Sequence, residues 1–327
     1  MSDVEVDNNG RSAPGAPATP EFAIAGQSSY ARTLFVGPDG LRPGWGFAFY
    51  AISFFLLQQV AVQLAWMRNL GDGGLWSMLL EELGDLVAAV VPALVLARVE
   101  GRLWSAYGLP AQRAFGRQFW TGAVWGFAAI SLLVFSLYGA HSFAFGHVML
   151  HGIRALRFAA FWALMFLLVG FFEEFLLRGY SQFTLARGIG FWRAAFGLSS
   201  AFGLIHLRNG GEHWPGLLAA GFIGLFLCLT LRRTGSLWFA VGFHAAWDWG
   251  ETFFYSVPDS GSVFPGHLLS SSLRGPDWLS GGSVGPEGSV LCFLVMAVTW
   301  IAFERTHRRS LDSSALDLPS SGADQRE

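Results

Sequence analysis

Two adjacent carboxylates, Glu173 and Glu174, break an apolar run that extends from Phe158 to Phe172, resumes at Phe175-Leu176-Leu177 and meets a cation at Arg178. An ionisable side chain midway along a spanning helix costs roughly 2.5–3.5 kcal/mol, so a pair there needs partners or a hydrated cavity. Residues four apart share a helix face and neighbours do not, so Glu174 pairs with Arg178 while Glu173 points elsewhere. The acid-before-base order suits a guanidinium fork that neutralises Glu174 and fixes the helix. Glu173, left without a local cation, is the candidate general base.

Two later apolar segments carry the groups such a base needs. Phe202 and His206 lie four apart in SSAFGLIHL, and His244 and Asp248 lie four apart in VGFHAAWDWGE. A carboxylate one turn from a histidine can accept its ring N–H and leave the other nitrogen free, so Asp248 is expected to orient His244. Glu251 falls on the same side, nearer the segment end, where solvated charge is expected. Glu173, His206 and His244 together supply the ligand types of a catalytic zinc, so a divalent metal such as zinc is a candidate cofactor, although no His-Glu-x-x-His is present. Five ionisable groups left unpaired in three spans would cost on the order of 10 kcal/mol, which predicts that they converge on one cavity.

Other polar groups read more plainly. His141, His147 and His151 fit solvated loop positions; Arg208, Glu212 and His213 fit an interfacial or gating patch. Glu81, Glu82 and Asp85 fit either a way into the cavity or a span end.

The elements that must position these groups are helices in a bilayer. With 53% hydrophobic and 13% charged residues and a mean hydropathy of +0.43, the composition lies outside the soluble globular range. Net charge of -2, with all 21 basic residues Arg, speaks against a nucleic-acid partner. Apolar stretches near 20 residues predict spans at about 45–66, 75–97, 119–139, 158–180, 192–212, 214–231, 236–255 and 289–303. The fold class expected is therefore an all-α polytopic membrane protein of about eight transmembrane helices around an intramembrane polar cavity. Residues 1–43 read as a disordered polar tail without a signal-peptide core, 44–305 as the transmembrane domain with a long polar loop at about 256–288, and 306–327 as a polar C-terminal tail. Arginines at 98–118, at Arg232-Arg233 and at Arg305, Arg308 and Arg309 put those loops and both termini in the cytoplasm, with Arg68, Arg154, Arg157 and Arg274 on the poorer side. Cys228 and Cys292 fall in apolar spans and predict no disulfide. No fixed-period repeat is visible, which weakens an inverted-repeat transporter.

EEFLLR at 173–178, FGLIH at 202–206 and HAAWD at 244–248 resemble the signatures of the CPBP intramembrane proteases, which include the CAAX prenyl endopeptidases and bacterial immunity-associated homologues. The resemblance covers about 158–252, and VEGRLWSAYGLP at 99–110 looks like the family's cytoplasmic connector. It implies that Glu173 activates water with His206 as partner, that His244 and Asp248 polarise the scissile carbonyl or stabilise the oxyanion, and that Glu174, Arg178 and Phe202 support them. Asp248 stands where the prenyl endopeptidases have Asn, and an ionised carboxylate only accepts hydrogen bonds, so either Asp248 is protonated or its task is to orient His244. The expected function is an intramembrane endopeptidase in a bacterial plasma membrane, acting on a membrane-associated protein or peptide among lipid. A non-catalytic membrane scaffold or immunity protein, and a proton-coupled transporter, are the alternatives.

Overall fold

The computed structural model describes residues 34–38, 40–67 and 74–307, with 65–67 described by backbone alone. Most of the expected N-terminal tail, all but the first two residues of the C-terminal one, and Arg68, Arg308 and Arg309 therefore lie outside the described residues. Within the expected tail, Val36–Gly37 (β1) and Gly40–Leu41 (β2) form a small antiparallel ladder ahead of the first helix.

Each of the eight predicted segments is helical. They are α1 (Pro43–Met67), α2 (Leu75–Val99), α3 (Arg117–Gly139), α4 (Gly152–Glu174), α5 (Gln182–Ile189), α6 (Phe191–Ile205), α7 (Trp214–Thr234), α8 (Trp238–Trp249) and α9 (Val290–His307), with α4 and α5 consecutive parts of the fourth segment. Five stretches are long and apolar enough to cross a membrane by length and composition: Pro43–Leu64, Arg117–Gly139, Gly152–Ile189, Trp214–Thr234 and Val290–His307. The other three segments fall short for identifiable reasons. Helix α2 carries Glu81, Glu82, Asp85 and Arg98 within its 25 residues. Helices α6 and α8 have 15 and 12 residues, fewer than the roughly 20 a straight span requires.

Local chemistry sets the helix ends. Trp214-Pro215 opens α7, where a missing N–H costs nothing, and Gly235 closes it in the left-handed region at φ 66°. The predicted 192–212 span stops early because Asn209, Gly210 and Gly211 end the helical pattern; His206 opens a single 3-10 turn, His206–Arg208, at the tip of α6. Arg154 and Arg157, read as loop residues, sit in the first turns of α4.

Close helix crossings hold the site's elements. A Cβ at Gly122 or Gly126 of α3 would collide with the Phe239 or Phe243 carbonyl of α8, and one at Gly242 of α8 with the Phe119 carbonyl of α3. Small residues four apart let backbones meet in this way. Around this seam Ile130, Leu133, Phe226, Phe239, Phe243 and Phe303 form a fully buried core.

The bundle has two differently built ends. At one, the 100–116 connector is tied down by Leu237 N–H to the Gly108 carbonyl at 2.8 Å, by Trp238 Nε1–H to the Pro110 carbonyl at 3.1 Å, and by Arg187 to Glu100 at 3.3 Å. At the other, the expected polar loop 256–288 is folded against its neighbours: Ser272–Leu273 (β4) pairs with Phe143–Ala144 (β3), and Asn209 Nδ2–H donates to the Ser260 carbonyl at 2.8 Å. Cys228 and Cys292 are free and buried.

Candidate active site

Helix α4 ends at Glu174 and passes into a widened π-helical turn, Phe175–Ser181, with a non-helical residue at Gly179. The turn carries Arg178 inward. Arg178 Nη1 donates to Glu174 Oε1 at 3.1 Å, both side chains are fully buried, and the guanidinium lies 4.6 Å from the Phe202 ring centroid. Phe202 thus covers the cation from α6, which gives the aromatic of the second motif a physical task. Its edge also meets the rings of His206, at 4.7 Å, and His244, at 6.2 Å.

His244 joins the two adjacent glutamates. Its Nδ1 lies 3.0 Å from Glu174 Oε1, and its Nε2 lies 3.4 Å from Glu173 Oε2 and 3.4 Å from Asp248 Oδ2. Paired with Arg178, Glu174 only accepts hydrogen bonds, so Nδ1 carries the proton and Nε2 faces the other two carboxylates. The orienting role expected of Asp248 therefore falls to Glu174. One carboxylate oxygen, Glu174 Oε1, fixes both the cation and the imidazole. The two 3.4 Å separations are longer than good hydrogen bonds and leave Nε2 uncommitted.

Glu173, His206, His244, Asp248 and Phe202 all line one cavity of about 230 Å³. His206 is positioned by its Nδ1, 2.8 Å from the Phe202 carbonyl. Glu173 keeps a quarter of its side chain exposed while Glu174 keeps none, so the neighbours that sequence spacing put on different faces do have different surroundings.

Glu81 and Glu82 reach the cavity from α2, in keeping with the first of their two readings, while Asp85 is not among its lining. Other lining residues had no motif to announce them: Asn209 comes from the turn after His206, and Asp259, Ser260 and Glu287 from the folded loop. Glu251, expected near solvent, is fully buried and accepts from Trp247 Nε1 at 3.0 Å; the same N–H lies 2.9 Å from Glu287 Oε1. Burial, and then the neighbouring Glu287, push the Asp259 carboxyl up to about 8. Trp247, one turn beyond His244, was the available hint that this face continues past the motif.

Glu251, Asp259 and Glu287 each offer an oxygen within 4.8 Å of the others. An all-carboxylate set of this kind suits a hard cation; the carboxylate-and-imidazole set Glu173, His206 and His244 has the ligand types of zinc. His141, His147 and His151 are exposed, away from the cavity lining.

Apolar helices here carry a buried acid–arginine pair, an imidazole between two glutamates and a polar recess. Residues 155–250 match the family model described as type II CAAX prenyl endopeptidase Rce1-like, and this stretch bears all three motifs, which supports the resemblance to the CPBP, or CAAX-protease, family. Neither a curated protein nor a solved structure matched the chain. With its apolar helices the chain is an integral membrane protein, and the family points to intramembrane protease activity of the CAAX type.

Proposed function

We propose that the chain is an intramembrane endopeptidase in which Glu173 takes a proton from water as the oxygen attacks a peptide carbonyl. That proton then passes to the departing amine as the C–N bond breaks. His244, protonated at both nitrogens, stabilises charge on the carbonyl oxygen by donating Nε2–H while Glu174 holds its Nδ1–H, and His206 assists from α6. The substrate is a membrane-associated protein or peptide whose scissile segment reaches the cavity. The observation that carries this reading is the 3.4 Å approach of Glu173 Oε2 to His244 Nε2 at a cavity wall, with the other ring nitrogen held by a buried carboxylate.

A positioned acid–base group contributes about 10²–10⁴-fold to a rate. Purified protein in nanodiscs is incubated with a peptide library and the products are read by mass spectrometry. Glu173→Gln and His206→Ala lower cleavage by at least the bottom of that range while leaving the elution profile and abundance unchanged. Equal cleavage by wild type and both variants removes the hydrolase reading and favours a scaffold.

A further inference from the structure

Glu251, Asp259 and Glu287 come together from separate places. Glu251 lies in the π-helical turn after α8, Gly250–Tyr255; Asp259 lies near the start of the folded loop; Glu287 lies in the 3-10 turn ahead of α9, Pro286–Gly288. All three are buried, and one oxygen from each lies within 4.8 Å of the other two.

Their hydrogen-bond partners are neutral. Trp247 Nε1–H is shared between Glu251 Oε2 at 3.0 Å and Glu287 Oε1 at 2.9 Å. Thr252 Oγ1–H donates to Asp259 Oδ2 at 2.9 Å, and Ser260 Oγ–H donates to Glu287 Oε2. Among the described residues, neither arginine nor histidine forms an ion pair with any of the three. Carboxylates crowded into a low-dielectric space repel one another, and neutral donors do not offset that charge.

Glu251 supplies a second, independent sign. Its side chain is fully buried, yet Oε1 has no hydrogen-bond partner among the described residues. That oxygen is turned toward the backbone that carries the other two acids. A Cβ built on Gly285, two residues before Glu287, would stand 3.4 Å from it and 2.1 Å from the carbonyl oxygen of Pro258, the residue before Asp259.

Calcium binds carboxylate and carbonyl oxygens at about 2.3–2.6 Å, so two of its ligands stand at most ~4.6–5.2 Å apart, a span that the three oxygens satisfy. Magnesium keeps most of its waters and takes one or two carboxylates, which suits a dry set of three less well. We propose that Glu251, Asp259 and Glu287 bind one calcium ion, which fastens the 256–288 loop to the end of α8. Asp259 and Glu287 also line the cavity, so the ion holds the loop-built part of its wall. Without the ion, burial and Glu287 keep a proton on Asp259; the cation takes the place of that proton and releases it.

The test uses the purified full-length chain, stripped with EDTA in a neutral detergent. Bound calcium is counted by equilibrium dialysis and thermal unfolding is followed as calcium is added. Wild type should bind one ion per chain and gain about 5–11 °C in Tm when free calcium is a hundredfold above half-saturation, with a smaller gain in magnesium. Glu251→Gln and Glu287→Gln each keep an acceptor for Trp247 and remove one crowded charge. In EDTA they should unfold at or above the wild-type Tm, and in calcium below it, having lost the bound ion. Glu173→Gln should keep the full calcium response. Absence of bound calcium in wild type, unchanged binding in both glutamine variants, an equal or larger gain in magnesium, or a glutamine variant that fails to fold in EDTA overturns the proposal. Neither readout requires turnover, so its failure is separable from failure of the endopeptidase reading.

Discussion

Replacing Glu174 by glutamine removes the one charge that serves two partners. Its Oε1 lies 3.1 Å from Arg178 Nη1 and 3.0 Å from His244 Nδ1, and neither it nor Arg178 has any exposed surface. Breaking a buried ion pair from one side costs about 3–5 kcal/mol, since the surviving charge stays buried without compensation. For a chain of this size, roughly 2–4 °C per kcal/mol converts that to a loss of ~6–20 °C in Tm. Removing the surviving charge should reverse this, because a well-packed apolar replacement of a buried pair is often neutral. Glu174→Gln/Arg178→Met should therefore regain most of the lost Tm. Activity should not return with it: the His244 ring has lost its ionised acceptor, and partners of this kind are worth about 10–100-fold. Thermal unfolding in detergent and peptide cleavage, measured on wild type, both single variants and the double, form a cycle that separates the two roles. A single variant within about 0.5 kcal/mol of wild type, or a double variant no more stable than Glu174→Gln, would refute the shared-oxygen argument; recovery of cleavage in the double would refute the orienting role.

Gly126→Leu forces side-chain atoms into the Phe243 carbonyl beside His244, and overpacking of this kind costs about 1–3 kcal/mol. It should lower both Tm and cleavage, whereas Gly139→Ala, which meets open space on the same helix, should change neither. Asp259, raised from 3.8 to about 8, holds a proton in the folded protein across that range. Its stabilising contribution is complete below about pH 4 and is lost as pH rises to about 8, so Tm should fall between about pH 4 and 8 and Asp259→Asn should flatten the fall. The proposed water activation is assigned to side chains, so 1,10-phenanthroline should leave cleavage unchanged; loss that zinc restores would transfer the water to a metal held by Glu173, His206 and His244.

Motif spacing made the centre of the site legible because helix periodicity is local. Glu174 with Arg178, and His244 with Asp248, are one-turn pairs whose shared face follows from counting. What counting cannot supply is which carboxylate from another helix reaches a given ring nitrogen, and there Glu174 displaced Asp248 at His244 Nδ1. The acidic wall was hidden for a related reason. Asp259 and Glu287 come from a Gly-, Ser- and Pro-rich stretch with no periodicity, and its order arises from ladders to distant segments such as Phe143–Ala144. Span ends shifted where backbone-permissive residues follow the helix, as at Asn209-Gly210-Gly211 after His206. Apolar runs revealed the helices themselves, but a short helix such as α8 owes its burial to the Gly122/Gly126 crossing, which hydropathy does not register.

A recess of about 230 Å³ is narrow beside an α-helix, whose diameter with side chains is ~10–12 Å. Under the proposed activity, polypeptide arriving in helical form would have to unravel locally before a carbonyl meets Glu173, giving up the internal amide bonds of at least one turn. Ease of unwinding would then govern the proposed cleavage, and glycine or proline just ahead of the cut would mark the stretches that yield first.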